Sequence, residues 1–339
     1  MNIFWSLICL LNAVLNVDAN IKHFSYRIVK RVPHPTRYFT QGFTFRMSDG
    51  LLLEGTGGYG DSVLALYDIN EDGSPANPQD KIRLPGKHFG EGITEFMGKI
   101  YQATWQDKKI YTWDPHTFEK LETRSTPSEI VEGWGLSTSP DHKWLMMTEG
   151  SAKIFFAYPD SSNNGGFMIE KELVAKDCVN KLVPITGLNE LETVPLKITH
   201  PEEIQNMHSS EGAPNFENVQ KSSLPLGATL WANIYGTQCV VILDADTGDA
   251  KAYLHLDDLN PRAGEQILVT NGIGYRDEDE SIWVTGKNWN EMFQIELVEL
   301  SSAPSDFPSK CKTSWRRPHG VSPKRRYPDN ICPKEKLEL

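Results

Sequence analysis

The chain has 339 residues, of which 39% are hydrophobic and 10% aromatic, so it can bury a sizeable core. Its formal net charge is -11. This acidity argues against a nucleic-acid-binding protein, because phosphate contacts need clustered lysines and arginines. The positive charge is concentrated near the C-terminus, where residues 310–326 carry only basic side chains among their charged ones.

The N-terminus opens with an apolar run over residues 2–17, followed by small residues around Ala19. The run is shorter than the roughly 20 residues that a membrane-spanning helix needs. We predict a signal peptide over residues 1–19, with a retained anchor as the alternative. No later stretch is apolar enough to cross a bilayer, so we expect a secreted or lumenal protein. The final E-K-L-E-L is similar to a K-D-E-L retention signal and leaves retention in the endoplasmic reticulum open.

A short motif recurs along the chain and indicates internal repeats. Each copy has a polar or aromatic residue next to a small turn and a short strand, and a second and third strand follow it. The first strands of the five copies contain F-T-Q-G, F-G-E-G, E-G-W-G-L, L-N-E-L-E and N-G-I, at residues 39–42, 89–92, 132–136, 188–192 and 271–273.

These repeats predict an all-β fold. Short runs rich in β-branched and aromatic residues, separated by Gly, Asp and Asn, are typical of strands and turns, and no sustained helical period interrupts them. Units of about 40 to 60 residues match the blades of a propeller. We predict a five-bladed β-propeller over residues 20–300, with a β-sandwich as the alternative. The segment His23–Val32 is expected to add a strand to the last blade.

Three further features interrupt or follow the repeats. A polar segment at about 194–226 looks like a loop inserted into the fourth unit, and residues 301–339 form a basic tail. The predicted signal peptide contains Cys9, which leaves four cysteines for the mature chain. In an oxidising compartment they would form two disulfides, and the sequence leaves all three pairings open. Pairing of Cys311 with Cys332 would close the tail, and pairing of Cys178 with Cys239 would bracket the insertion.

The repeated positions predict one shared pocket, because propeller blades are radial and their equivalent inner positions face a common channel. Each residue alone has an ordinary interpretation as a surface charge or a core aromatic. Together they would form a polar floor with aromatic walls. The candidate residues are Gln41, Glu91, Trp105, Trp134, Asn189, Trp231 and Lys287.

The ordered set of motifs, together with T-W at 104–105, W-A-N at 231–233 and T-G-K at 285–287, resembles the plant- and bacterial-type glutamine cyclotransferases. The resemblance spans about Phe39 to Leu297. It implies a five-bladed propeller without a catalytic metal that converts the N-terminal glutamine of peptides or proteins to pyroglutamate and releases ammonia. T-E-G-S at 148–151, the long insertion and the tail depart from the family pattern.

The resemblance and the residue types together predict a mechanism. Glu91 would take a proton from the substrate's α-amine and pass it to the leaving ammonia. Lys287 and Asn189 would hold the amide oxygen, or Lys287 would hold Glu91 ionised. Gln41 would hydrogen-bond the substrate, and the three tryptophans Trp105, Trp134 and Trp231 would fold its side chain and exclude water.

Two other functions remain open at the level of sequence. A propeller without activity would use the same aromatic mouth to bind peptide ends or glycans. A calcium-dependent lactonase would need several acids and an Asn around an ion, which Glu91, Glu132, Asn189 and Asn271 could supply. The nine histidines show no zinc-binding spacing, so we expect no catalytic cofactor, with a structural calcium left open. We expect a monomer.

Overall fold

The computed structural model describes residues 21–160, 165–195, 228–259, 269–314, 327 and 331–332. The predicted signal peptide, almost all of the 194–226 insertion and most of the basic tail therefore lie outside the described residues. In the described ranges, no helix is long and apolar enough to span a membrane.

The fold is all-β, as the sequence predicts, and three of its sheets are consecutive four-stranded meanders. The first contains β2 (Phe39–Phe45), β3 (Leu52–Gly57), β4 (Val63–Tyr67) and β5 (Gln79–Arg83). The second contains β6 (Gly90–Phe96), β7 (Lys99–Thr104), β8 (Lys109–Trp113) and β9 (Lys120–Ser125). The third contains β10 (Leu136–Thr138), β11 (Leu145–Met147), β12 (Lys153–Pro159) and β13 (Phe167–Val174).

The remaining strands form one eight-stranded sheet in the order β14-β15-β16-β17-β1-β20-β19-β18. One half contains β14 (Leu188–Val194), β15 (Thr229–Ile234), β16 (Cys239–Asp244) and β17 (Ala250–His255). The other contains β18 (Thr270–Arg276), β19 (Ser281–Gly286), β20 (Glu291–Glu299) and the N-terminal strand β1 (Lys22–Pro33). The antiparallel pairing of β1 with β20 confirms that the N-terminal segment completes the last unit. A parallel pairing of β1 with β17 joins the two halves.

In the first three units, burial falls from the first strand to the fourth. Every residue of β6 is buried, whereas β9 is mostly exposed and carries Lys120, Glu122 and Arg124. A charged, exposed outer strand discourages edge-to-edge association. The first strands β2, β6, β10, β14 and β18 contact one another in a closed cycle, in which β18 returns to β2.

Glycines allow these first strands to approach one another at backbone distance. A Cβ atom on Gly92 would lie 2.4 Å from the Leu136 backbone nitrogen. One on Gly135 would lie 2.2 Å from the Asn189 carbonyl oxygen. Any larger residue at either position would push neighbouring sheets apart, so both glycines are explained by close approach.

Two disulfides tie the C-terminal residues to the third and fourth units. Cys178 pairs with Cys332 and Cys239 with Cys311, with Cα–Cα distances of 5.7 and 5.5 Å. The local pairings considered from the sequence, Cys178–Cys239 and Cys311–Cys332, are not the ones formed. The reason is that the chain after β20 returns across the fourth unit, which places Cys311 beside the start of β16.

Candidate active site

Three of the predicted polar residues, Gln41, Glu91 and Asn189, lie where the first strands are irregular. The ladders shift register between Thr40 and Gly42, and the same happens around Glu91, Asn189 and Asn271 in the other units. A bulge leaves residues outside the regular pairing and re-aims their side chains. Four units thus present a side chain at the same end of the cycle of first strands. In the third unit Trp134 stands at this place, where its carbonyl accepts from Gly92 N–H at 2.7 Å.

Glu91 and Lys287 form a buried pair of opposite charges. Each is only 4% exposed. Burial raises the pKa of Glu91 to about 8, with Lys287 opposing the rise and Glu132 adding to it. Burial likewise lowers the pKa of Lys287 to about 8, and the Glu91 charge opposes that change. Buried groups of opposite charge whose pKa values are strongly shifted, and which influence each other by charge, are typical of functional sites.

Aromatic rings enclose the Lys287 ammonium. Its Nζ lies 4.6 Å from the centre of the Phe39 ring and 5.2 Å from that of Tyr235, which are cation–π distances. Tyr235 packs edge-to-face against Trp134, with ring centres 5.4 Å apart. Burial, with a further contribution from the Glu91 charge, also raises the pKa of Tyr235. Glu91, Lys287, Trp134 and Tyr235 therefore surround one site.

A second aromatic group continues this wall. Phe89 contacts Phe39 at 6.0 Å and Trp105 at 5.8 Å between ring centres, both edge-to-face. The exposed Tyr59 covers Phe89 from outside at 5.5 Å. The chain of rings runs from Lys287 through Phe39 and Phe89 to Trp105.

Amide side chains lie between the first strands of neighbouring units. Asn271 Nδ2 donates to the Gln41 Oε1 at 3.0 Å and to the Thr40 carbonyl at 2.9 Å. The Gln41 oxygen is thus occupied, which leaves its NH₂ group as the donor that it can offer. Asn189 is buried, and its Oδ1 has no hydrogen-bond partner among the described residues.

Trp231 is the predicted site residue that the structure places elsewhere. Its indole is fully buried in an apolar cluster with Ile242, Ile273 and other residues of β14–β20. Its Nε1 donates to Thr229 Oγ1 at 3.0 Å. Trp231 therefore packs between strands, and we leave it out of the proposed site.

The position that Trp231 was expected to fill belongs to Tyr235. The backbone N–H groups of Trp105, Tyr235 and Lys287 donate to Phe89, Gly187 and Val269, at 3.0, 2.8 and 3.0 Å. The three residues are thus equivalent, because each is the first residue after the end of the second strand of its unit. Matching the tryptophan of W-A-N with the tryptophan of T-W selected Trp231, which lies four residues before the equivalent residue, Tyr235.

The sequence analysis also did not assign Phe39, Phe89 and Glu132 to the pocket. A signal was present for the two phenylalanines, because each precedes its site residue by two positions, in F-T-Q-G and F-G-E-G. Glu132 acts on Glu91 by charge and accepts a hydrogen bond from Gln106 at 3.4 Å.

A cavity of about 670 Å³ lies at the other end of the first strands. It is lined by Thr44, Thr94, Glu95 and Glu192. Burial raises the pKa of Glu192 to about 8, while its hydrogen bonds from Tyr275 N–H and Thr44 act in the opposite direction. Among the described residues that line this cavity there is no lysine, and its basic side chains are Arg46 and His142.

One group among the described residues has the spacing of metal ligands: Cys239, His255 and Cys311. The two sulfur atoms are bonded to each other. They therefore offer no thiolates, and this group does not fit a metal site in the oxidised protein.

Comparison with known proteins gives concordant matches. The family model described as glutamine cyclotransferase matches residues 4–297. A glutaminyl-peptide cyclotransferase from Arabidopsis thaliana is 23% identical over 296 residues, which cover 86% of this chain and 77% of that protein. The crystal structure of Myxococcus xanthus glutaminyl cyclase superposes with a TM-score of 0.60 at 22% identity, covering 83% of this chain and 100% of that one.

Proposed function

The chain belongs to the glutamine cyclotransferase family, and we propose that it converts the N-terminal glutamine of peptides or proteins to pyroglutamate with release of ammonia. The observation that carries this proposal is the buried pair of Glu91 and Lys287, each with a pKa of about 8, beside aromatic rings. A glutaminyl end group combines an amine, an amide and a short flexible chain, and a carboxyl group, an ammonium group and aromatic rings are groups that can bind these parts.

The proton transfers follow from the pKa of Glu91. A free α-amine has a pKa of about 7.7–8.0, which matches the value of about 8 for Glu91. The carboxylate can therefore take a proton from the amine as its nitrogen bonds to the side-chain amide carbon. It returns that proton to the amide nitrogen when the carbon–nitrogen bond breaks and ammonia leaves. A general acid–base with a pKa near the working pH is most effective.

Lys287 and Asn189 are proposed to stabilise the oxygen that becomes negative during attack. A buried ammonium group in a site with little water interacts strongly with such a charge. The positive charge of Lys287 also lowers the pKa of Glu91. Lys287 would therefore favour the ionised form of Glu91 as well. Gln41 would donate from its free NH₂ group to the substrate.

The aromatic wall is proposed to bind the glutamine side chain in a folded form. Phe39, Phe89, Trp105, Trp134 and Tyr235 supply flat apolar surfaces. These rings would restrict the substrate's glutamine side chain to conformers in which its α-amine and its amide carbon are close together. Such proximity is a major part of intramolecular catalysis.

We propose a five-bladed β-propeller as the architecture, with the eight-stranded sheet counted as two blades. The closed cycle of contacts among the five first strands supports it. We further propose a monomer that is secreted or lumenal, since two disulfides suit an oxidising compartment. Chemistry by Glu91 and Lys287 needs no catalytic metal, and a structural calcium would not alter it.

The test uses purified protein with a Gln-initiated peptide, and ammonia release is measured with and without a chelator. The same peptide with an acetylated α-amine is the matched control, because it cannot cyclise. Ammonia release from the free peptide alone, unchanged by chelator, supports the proposal. Activity lost with chelator would favour a metal mechanism, and binding without ammonia release would favour a peptide-binding protein.

A further inference from the structure

We propose that the C-terminal extension, meaning here its described residues 298–314, 327 and 331–332, is a positioning element for the aromatic wall, with Thr313 and Tyr327 as its contact residues. The family match ends at residue 297, so the extension is an addition to the matched region. The inference rests on the proposed function, because it assigns a role to residues next to that site.

The extension is firmly attached to the fourth unit. Besides the two disulfides, Phe307 packs edge-to-face against Tyr253, with ring centres 4.8 Å apart. Lys310 Nζ donates to Asp257 Oδ2 at 2.5 Å. The described part of the extension is therefore fixed in place before it reaches the site.

Thr313 contacts the turn at Gly187, and this turn is hydrogen-bonded to Tyr235. A Cβ on Gly187 would lie 2.8 Å from Thr313 Cβ and Cγ2, so the threonine packs directly on the glycine backbone. The Gly187 carbonyl accepts the backbone N–H of Tyr235 at 2.8 Å. A shift of this turn would move Tyr235, and with it one of the two rings against Lys287.

Tyr327 contacts the neighbouring turn, which lies under Trp134. Its hydroxyl accepts the backbone N–H of Ala152 at 3.2 Å. Two residues earlier, Gly150 lies against the Trp134 indole, where a Cβ would be 2.6 Å from Cη2. Gly150 adopts φ +76°, a conformation that favours glycine.

The two turns are bonded to each other. Gly187 N–H donates to the Gly150 carbonyl at 3.0 Å, and Gly150 N–H donates to the Leu188 carbonyl at 3.2 Å. The extension thus contacts both members of a small backbone unit that carries the Trp134–Tyr235 ring pair. Displacing it should weaken substrate binding and leave Glu91 and Lys287 in place.

The test is Tyr327→Phe, which removes the hydroxyl and keeps the ring. The matched control is Tyr26→Phe, which removes another tyrosine hydroxyl that is bonded to the backbone. Tyr26 lies on the outer strand β1, and its hydroxyl donates to the Asp257 carbonyl at 2.7 Å. We expect KM for a Gln-initiated peptide to rise about threefold to tenfold in Tyr327→Phe, with kcat within about twofold. The control should leave both constants unchanged. Thr313→Gly, which removes the contact with Gly187, should act in the same direction.

A second readout does not depend on turnover. The readout is the NMR signal of the Trp134 indole N–H, which is assigned by its absence in Trp134→Phe. This signal should shift in Tyr327→Phe and stay in place in Tyr26→Phe. A shifted signal in a protein without cyclase activity would support the positioning role and reject the proposed function. An unshifted signal together with an unchanged KM in Tyr327→Phe would overturn the positioning role. The same conclusion would hold if the only effect of the substitution were a lower melting temperature.

Discussion

The two ends of the five first strands each contain a buried carboxyl group with a pKa of about 8, Glu91 at one end and Glu192 at the other. Their surroundings differ. Glu91 interacts by charge with Lys287, whose ammonium group lies against aromatic rings, and no hydrogen bond from the described residues reaches the Glu91 carboxyl group. Glu192 accepts from Tyr275 N–H and Thr44 and lines a cavity of about 670 Å³.

This comparison shows that neither cavity size nor a raised pKa identifies the candidate site. Glu192 accepts hydrogen bonds from two protein donors, and burial accounts for its raised pKa. Glu91 is held by charge and not by fixed hydrogen bonds, which leaves its oxygens available to a substrate. The partner groups, and not the size of the opening, are therefore the basis on which we propose Glu91 and not Glu192 as the reactive acid.

The largest expected effect comes from removing each carboxyl in turn. Glu91→Gln should lower kcat by about 10³-fold, within the usual range for loss of a general acid–base. Glu192→Gln, the matched control, should leave kcat within about threefold. Steady-state ammonia release from a Gln-initiated peptide measures both. Equal losses in the two variants would remove the distinction between the two ends.

The same pair of variants has a built-in test of folding. Both folded-state pKa values lie above the ordinary 4.5, so the stabilisation from protonation is present at low pH and is lost as pH rises through about 8. Each Gln variant should therefore melt a few degrees higher than wild type at pH 9. A lower melting temperature for Glu91→Gln would indicate that its lost activity reflects damage to the fold.

Lys287→Met should have the next largest effect, about 10²-fold in kcat/KM, because it removes a preorganised positive charge. Lys287 lowers the pKa of Glu91, so its removal should move the acid limb of the pH–rate profile to higher pH. Profiles of kcat/KM from pH 6 to 10 test this. An acid limb that stays in place would mean that Lys287 does not act on Glu91.

Glu132→Gln should have the smallest effect and the opposite sign. The Glu132 charge raises the pKa of Glu91, so neutralising it should move the acid limb to lower pH by less than about one unit. kcat on the plateau should change by less than about threefold. A shift to higher pH would contradict the charge relation between these residues.

Much of the candidate site follows from the repeats. Gln41, Glu91, Asn189 and Lys287 were predicted to share one end because equivalent positions of repeated units face the same way. Trp231 failed for a local reason. It lies within β15, paired opposite Glu192, where strand alternation turns its indole into the core. The equivalent site residue, Tyr235, follows the end of that strand.

The all-β class, the repeated units and the completing N-terminal strand could be read from the sequence, and the same reading predicted Glu91, Lys287 and the amides as a shared site, because each depends on local pattern or on repetition. The disulfide partners, the ring pair of Trp134 and Tyr235 and the contacts of the C-terminal extension became visible only in the folded chain. These depend on which distant segments pack together, and neither strand period nor motif order records such distances. The pKa values of Glu91 and Lys287 likewise come from burial and mutual charge, which exist only once the strands have met.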